Sequence, residues 1–322
     1  MLKDNSRPSI LEANFFYLFI GIILLTLGSY VQNQSIYLGL LITEFIIILV
    51  PTLFYLKMRQ YSLKRVLRLN RISIKQALLI PIIVIFSYPI GVFFNYLMLI
   101  ILNHFGKVSA NTVPIPESGQ EMIIGLIVVA LSAGICEEIM FRGFVMKAYE
   151  RQGVIKSILY SAILFGLFHF NIQNLLGPIY LGILFGYIVH KTDSIFSSII
   201  AHTTNNAFAL ILGMLVSKIN IDPEIAADVA AQGVISDTLT MIVGAIGIGF
   251  IAIISGVIVF LLLKLLPEAK NIEIDDFESS FIDEIDSKSE TISTKIGRII
   301  SFVPILIVLL LFILTTYMYF IR

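Results

Sequence analysis

The chain has 322 residues, 57% of them hydrophobic and 14% charged, with a mean hydropathy of +0.94. An average soluble domain is about a quarter charged, so this composition excludes an ordinary water-soluble fold and points to the bilayer. The formal net charge is zero, which argues against a nucleic-acid partner, and the single cysteine, Cys136, can form no internal disulfide.

A membrane-spanning helix needs about 20 mostly apolar residues. The sequence predicts nine, at roughly 13–31, 36–56, 76–102, 122–146, 157–171, 175–190, 195–216, 237–266 and 299–320. The first follows Lys3 and Arg7 and reads as a retained helix, because no small-residue cleavage site closes it. The fifth and sixth are short enough to be tilted or partial spans. The expected fold class is all-α, a polytopic transmembrane helix bundle of about eight core spans plus a C-terminal ninth.

Five regions follow along the chain. Residues 1–75 hold two spans and a basic loop, and 76–216 hold the candidate catalytic core. Residues 217–266 hold the eighth span and the loop before it, 267–298 an acidic linker, and 299–322 the last span. The linker carries Glu273, Asp275, Asp276, Glu278, Asp283, Glu284 and Asp286 and reads as a solvated tether.

Basic residues set the expected orientation. Lys57, Arg59, Lys64, Arg65, Arg68, Arg71 and Lys75 crowd the loop after the second span, which is therefore placed in the cytoplasm. Alternation then puts the N-terminus, Lys147, Arg151, Lys156 and Lys191 on the same side. It puts Asp222, Glu224, Asp228 and Asp237 on the other. A multi-pass plasma-membrane protein of a bacterium or archaeon is expected.

A charged side chain at the centre of a bilayer helix costs about 3 kcal/mol on insertion scales, so such residues flag function. They gather between Glu137 and Asn206. Glu138 and Arg142 are one helical turn apart and are expected to pair, whereas Glu137 lies about 100° around the helix. Spacing alone therefore divides the labour. Glu138 and Arg142 support the site, and the unpaired Glu137 is the candidate general base. Phe165 and His169 share a face of the fifth span, and His202 and Asn206 a face of the seventh. Taken singly, a lone histidine reads as a core residue, and a His–Asn pair as interhelical hydrogen bonding. Cys136, in an apolar helix, reads as packing. Counting residues from the turn near Gln152–Gly153 puts Glu138 and His169 at equal depth, while His202 falls short by roughly 8 Å. A fourth helix extending a turn past the membrane would close most of that gap.

The three motifs, Glu137-Glu138-x-x-x-Arg142, Phe165-x-x-x-His169 and His202-x-x-x-Asn206, resemble those of the CPBP family of intramembrane proteases. That family includes the type II CAAX prenyl endopeptidases and bacterial relatives linked to bacteriocin processing and self-immunity. The resemblance covers roughly residues 70–216. It implies that Glu137 and His169 activate a water, that His202 and Asn206 stabilise the oxyanion, and that Glu138, Arg142 and Phe165 support them. It implies a peptide or membrane-protein substrate. Metalloprotease and purely glutamate-dependent mechanisms both stay open. Glu137, His169 and His202 are of types that bind zinc, but no H-E-x-x-H helix is present. A catalytically silent scaffold or immunity protein of the same family, and a proton-coupled transporter, are the competing readings. The first would keep its function without Glu137; the second would show paired broken helices in repeated halves, and none is visible.

Overall fold

The computed structural model of the chain describes residues 7–105, 115–218, 238–269 and 292–321. The acidic residues expected on the loop before the eighth span and on the linker lie outside them. Among the described residues nine main helices and no strand are found. They are α1 (Ile10–Gln34), α2 (Ile36–Met58), α3 (Ile74–Phe105), α4 (Gly119–Gln152), α5 (Val154–Phe168), α6 (Leu176–Thr192), α7 (Ile195–Ser217), α8 (Thr238–Leu265) and α9 (Ile292–Ile321). Seven are long and apolar enough to cross a membrane, and α5 and α6, at 15 and 17 residues, are the two expected to be short. The chain is an integral, multi-pass membrane protein.

Local chemistry fixes the helix ends. Ser9 and Glu12 form a capping box at the start of α1, and Glu12 also accepts from Arg59 and from the Tyr61 hydroxyl. Ser73 and Gln76 make the same reciprocal arrangement before α3, and Gln76 also reaches the Pro267 carbonyl after α8. Gly153, at φ 95°, turns α4 into α5; that φ favours glycine. Asp193, at φ 45°, closes α6 and accepts from Arg68 Nε at 2.9 Å and from Asn70. Arg68 also pairs with Glu150, which Lys147 contacts at 2.8 Å. One polar network thus ties together the α2–α3 loop, the α4–α5 turn and the α6–α7 turn. These are the loops that alternation of the spans assigns to one side.

Among the described residues two large apolar cores result, with a small third cluster of Met146, Ile158 and Val189. The first joins α1, α2, α4 and α5 and includes Tyr17, Ile48, Phe141, Phe144 and Phe168. The second joins α3, α6, α7 and α8 through Ile80, Val84, Phe185, Ala201 and Val259. Around both, large apolar side chains such as Phe19, Phe54, Leu78, Phe250 and Leu310 point outward. So much exposed apolar surface suits hydrocarbon, not water.

The ninth span, expected from sequence as an addition to an eight-helix core, is α9, which packs on α1 and α5. Val308 is fully buried in the first core, and Asn14 Nδ2 donates to the Ser301 carbonyl at 2.8 Å. Asn14 also accepts from Tyr149 of α4 at 2.7 Å. A buried amide satisfied by two other helices ties α9 to the bundle.

Glycines in the membrane helices are compatible from sequence with either tight packing or a cavity, and they mostly mark tight packing. A Cβ on Gly134 would collide with Thr203 of α7, and one on Gly182 would sit 2.7 Å from Ala162 Cα of α5. The first of these close approaches sets α4 beside α7 at the depth of the acidic motif.

Candidate active site

The site lies at the seam between the two cores. Arg142 Nη1 donates to Glu138 Oε1 at 2.8 Å, and neither side chain is exposed to solvent. The guanidinium carbon sits 4.4 Å from the Phe165 ring centroid and 5.4 Å from that of Phe185. Its unpaired nitrogens, Nε and Nη2, thus lie between aromatic rings contributed by the two cores. Phe165 also meets His169 and His202 edge-on, at centroid distances of 5.1 and 5.7 Å. The supporting residue of the second motif is therefore the wedge against which the others stand.

Glu138 Oε1 also lies 2.9 Å from His202 Nδ1. One carboxylate oxygen thus serves an arginine of its own helix and a histidine of α7. His202 Nε2 faces Glu137, 3.7 Å from Oε2. A carboxylate at Nδ1 requires a proton there, so donation from Nε2 as well requires the imidazolium.

His169 Nδ1 lies 2.9 Å from the Phe165 carbonyl, which can only accept. The proton is thereby assigned to Nδ1, and Nε2 is the acceptor of the neutral ring. Asn206 Nδ2 donates to the Val129 carbonyl at 3.1 Å and keeps a second N–H, while Asn205 donates to its Oδ1.

Glu137, Phe165, His169, His202 and Asn206 line one cavity of about 550 Å³. A smaller cavity of about 230 Å³ adjoins it and shares Glu137 and His169. The depth mismatch expected for His202 is absent. α4 runs to Gln152 and contains π-helical turns at Leu126–Leu131 and Ile139–Val145. Such turns insert a residue and re-aim side chains, and they recur at functional sites. Here they carry Val129 and Arg142. Cys136 is buried and packs in the first core, as expected.

Other cavity residues carry no sequence motif. Asn95 of α3 bonds Asn174 at 3.0 Å and accepts from the Gly177 N–H at 2.8 Å, closing one wall. Glu44 of α2 lines both cavities. It is the lone acid in an apolar run, which is the signal that finds it.

The donor geometry bears on the zinc alternative. A catalytic zinc site needs about three protein ligands, and among the described residues no group of three His, Cys, Asp or Glu is placed to hold a metal ion. His202 and His169 each have Nδ1 engaged, which leaves Nε2 of each ring free to act as a ligand. As placed, the described donors form no three-ligand set for zinc.

Fold and site together define a polytopic membrane protein with a buried Glu/His/Asn constellation facing an intramembrane chamber. Residues 119–208 match the family model described as Rce1-like, type II CAAX prenyl endopeptidase Rce1-like. That stretch contains all three motifs, so the resemblance read from them is supported there. The chain is also 32% identical over 108 residues to a curated protein of Bacillus subtilis (strain 168) named as a candidate membrane peptidase, YdiL. The match takes in 33% of this chain and 44% of that protein, so the chain spans less than half the length of the relative it matches. No solved structure matches.

Proposed function

We propose that this protein is an intramembrane endopeptidase that hydrolyses peptide bonds at or within the bilayer. The observation that carries the reading is the convergence of Glu137, His169, His202 and Asn206, from three helices, on one chamber inside the bundle. The family match over the same residues supports it. Glu137 is the general base. A water donates one O–H to Glu137 and the other to His169 Nε2. As the water oxygen attacks the peptide carbonyl carbon, its proton passes to Glu137. The carbonyl oxygen becomes the oxyanion and accepts from His202 Nε2–H and the second N–H of Asn206. Collapse of the tetrahedral intermediate breaks the C–N bond, and Glu137 returns its proton to the leaving amine. Glu138, Arg142 and Phe165 hold His202 in place. No step is routed through a metal. The substrate class is a peptide or a membrane-protein segment. The polar network end of the bundle, with the basic α2–α3 loop, faces the cytoplasm.

The test is cleavage of a peptide library by the purified protein in lipid, beside the Glu137→Ala and His169→Ala variants. Cleavage by wild type alone, from three equally folded proteins, is the expected result. Equal turnover in all three would overturn the mechanism. Silence in all three would favour the scaffold reading.

A further inference from the structure

Glu44 has no part in that mechanism, yet it occupies the site's most distinctive position. It sits in a π-helical turn of α2, Ile42–Leu49, is 5% exposed, and its Oε2 has no hydrogen-bond partner in the protein. Among the described residues no arginine or lysine lines either cavity. With Leu40, Glu137 and His169 it lines both chambers, so it stands where they meet. The smaller chamber is otherwise lined by Ser29, Gln32 and Thr43 as well as apolar residues, and Gln32 Nε2 donates to Thr43 Oγ1 at 3.0 Å. Burying a carboxyl without a partner is destabilising, and such groups persist where function needs them.

We propose that Glu44 is a positioning residue for water: the smaller chamber is the water inlet of the hydrolytic site, and the free carboxyl oxygen of Glu44 anchors a water at its junction with the substrate chamber. This inference rests on the peptidase reading. Each turnover consumes one water, and a site walled by apolar helices needs a polar anchor to stay hydrated. The anchored water hydrogen-bonds the attacking water on Glu137. Glu44 neither touches the substrate nor takes its proton.

The experiment compares kcat, KM and melting temperature for wild type, Glu44→Leu, Glu44→Gln and Glu137→Ala. Glu44→Leu is expected to lower kcat about 10²-fold, the scale of a displaced reactant, with KM unchanged. Glu44→Gln, which keeps a hydrogen-bonding oxygen, is expected to regain most of the rate. Both variants are expected to melt no lower than wild type, because each removes an unpaired buried acid. Wild-type kcat in Glu44→Leu would overturn the proposal. So would lower melting of Glu44→Leu, or equal loss of rate in both variants, since those outcomes assign Glu44 to the fold or to proton transfer. Activity in Glu137→Ala would instead overturn the peptidase reading, whatever Glu44 does.

Discussion

His202 and Glu138, 64 residues apart in the chain, meet at 2.9 Å through Nδ1 and Oε1. The same oxygen holds Arg142 at 2.8 Å. Glu138 is thus the hinge of the site. It belongs to the acidic motif by sequence and acts on the third motif by contact.

Removing its counter-charge should therefore be severe. Arg142→Ala leaves Glu138 buried without its cation, and breaking a buried pair costs about 3–5 kcal/mol. Arg142→Lys keeps the charge but loses the planar stacking between Phe165 and Phe185. Thermal unfolding in detergent should rank wild type above Lys and Lys above Ala. An alanine variant as stable as wild type would remove the support role.

Glu138→Gln tests the other arm. It keeps the shape but weakens the hold on His202 Nδ1, and with it the placement of the Nε2–H used in oxyanion donation. The expected outcome is a fall in kcat of about 10²-fold, the scale of one lost oxyanion donor, in a protein that still folds. Unchanged kcat would separate the Glu138–His202 contact from catalysis.

Gly182→Ala places a methyl 2.7 Å from Ala162 Cα, a backbone atom that cannot swing aside. α5 and α6 must part, at a cost of about 1–3 kcal/mol. Since α5 carries Phe165 and His169, activity should fall along with the melting temperature. A variant with both intact would mean the two helices have slack.

Truncation after residue 269 removes α9 and exposes the Val308 pocket and the Asn14 amide. The shortened protein is expected to melt lower than wild type in detergent. An unchanged melting temperature would make α9 dispensable to the core.

The donor arrangement predicts that a strong chelator leaves cleavage by wild type unchanged. Loss of activity on chelation, restored by zinc, would overturn the metal-free route.

Much of this protein was legible before any coordinates. Apolar runs place the membrane helices because an unpaired backbone group in hydrocarbon is costly, and only helices of about bilayer length satisfy every N–H and C=O internally. The one-turn spacing of Glu138 and Arg142 predicts their pair, because residues four apart on a helix are neighbours whatever the rest of the chain does. The three motifs are legible for the same reason: each lies within a single helix.

Contacts between helices were not legible. The meeting of His202 with Glu138 depends on how α7 packs on α4, which no local pattern encodes. The docking of α9 depends on Asn14 finding a carbonyl 287 residues away. Glu44 has no partner at helical spacing, so the sequence flags it as an acid in an apolar run but not as a neighbour of Glu137. Its place beside Glu137 exists only once α2 and α4 are packed. Sequence determined which groups must be buried, through the cost of putting charge in hydrocarbon. Tertiary structure alone decided which groups they face, because helix packing is set by side-chain shape over the whole bundle.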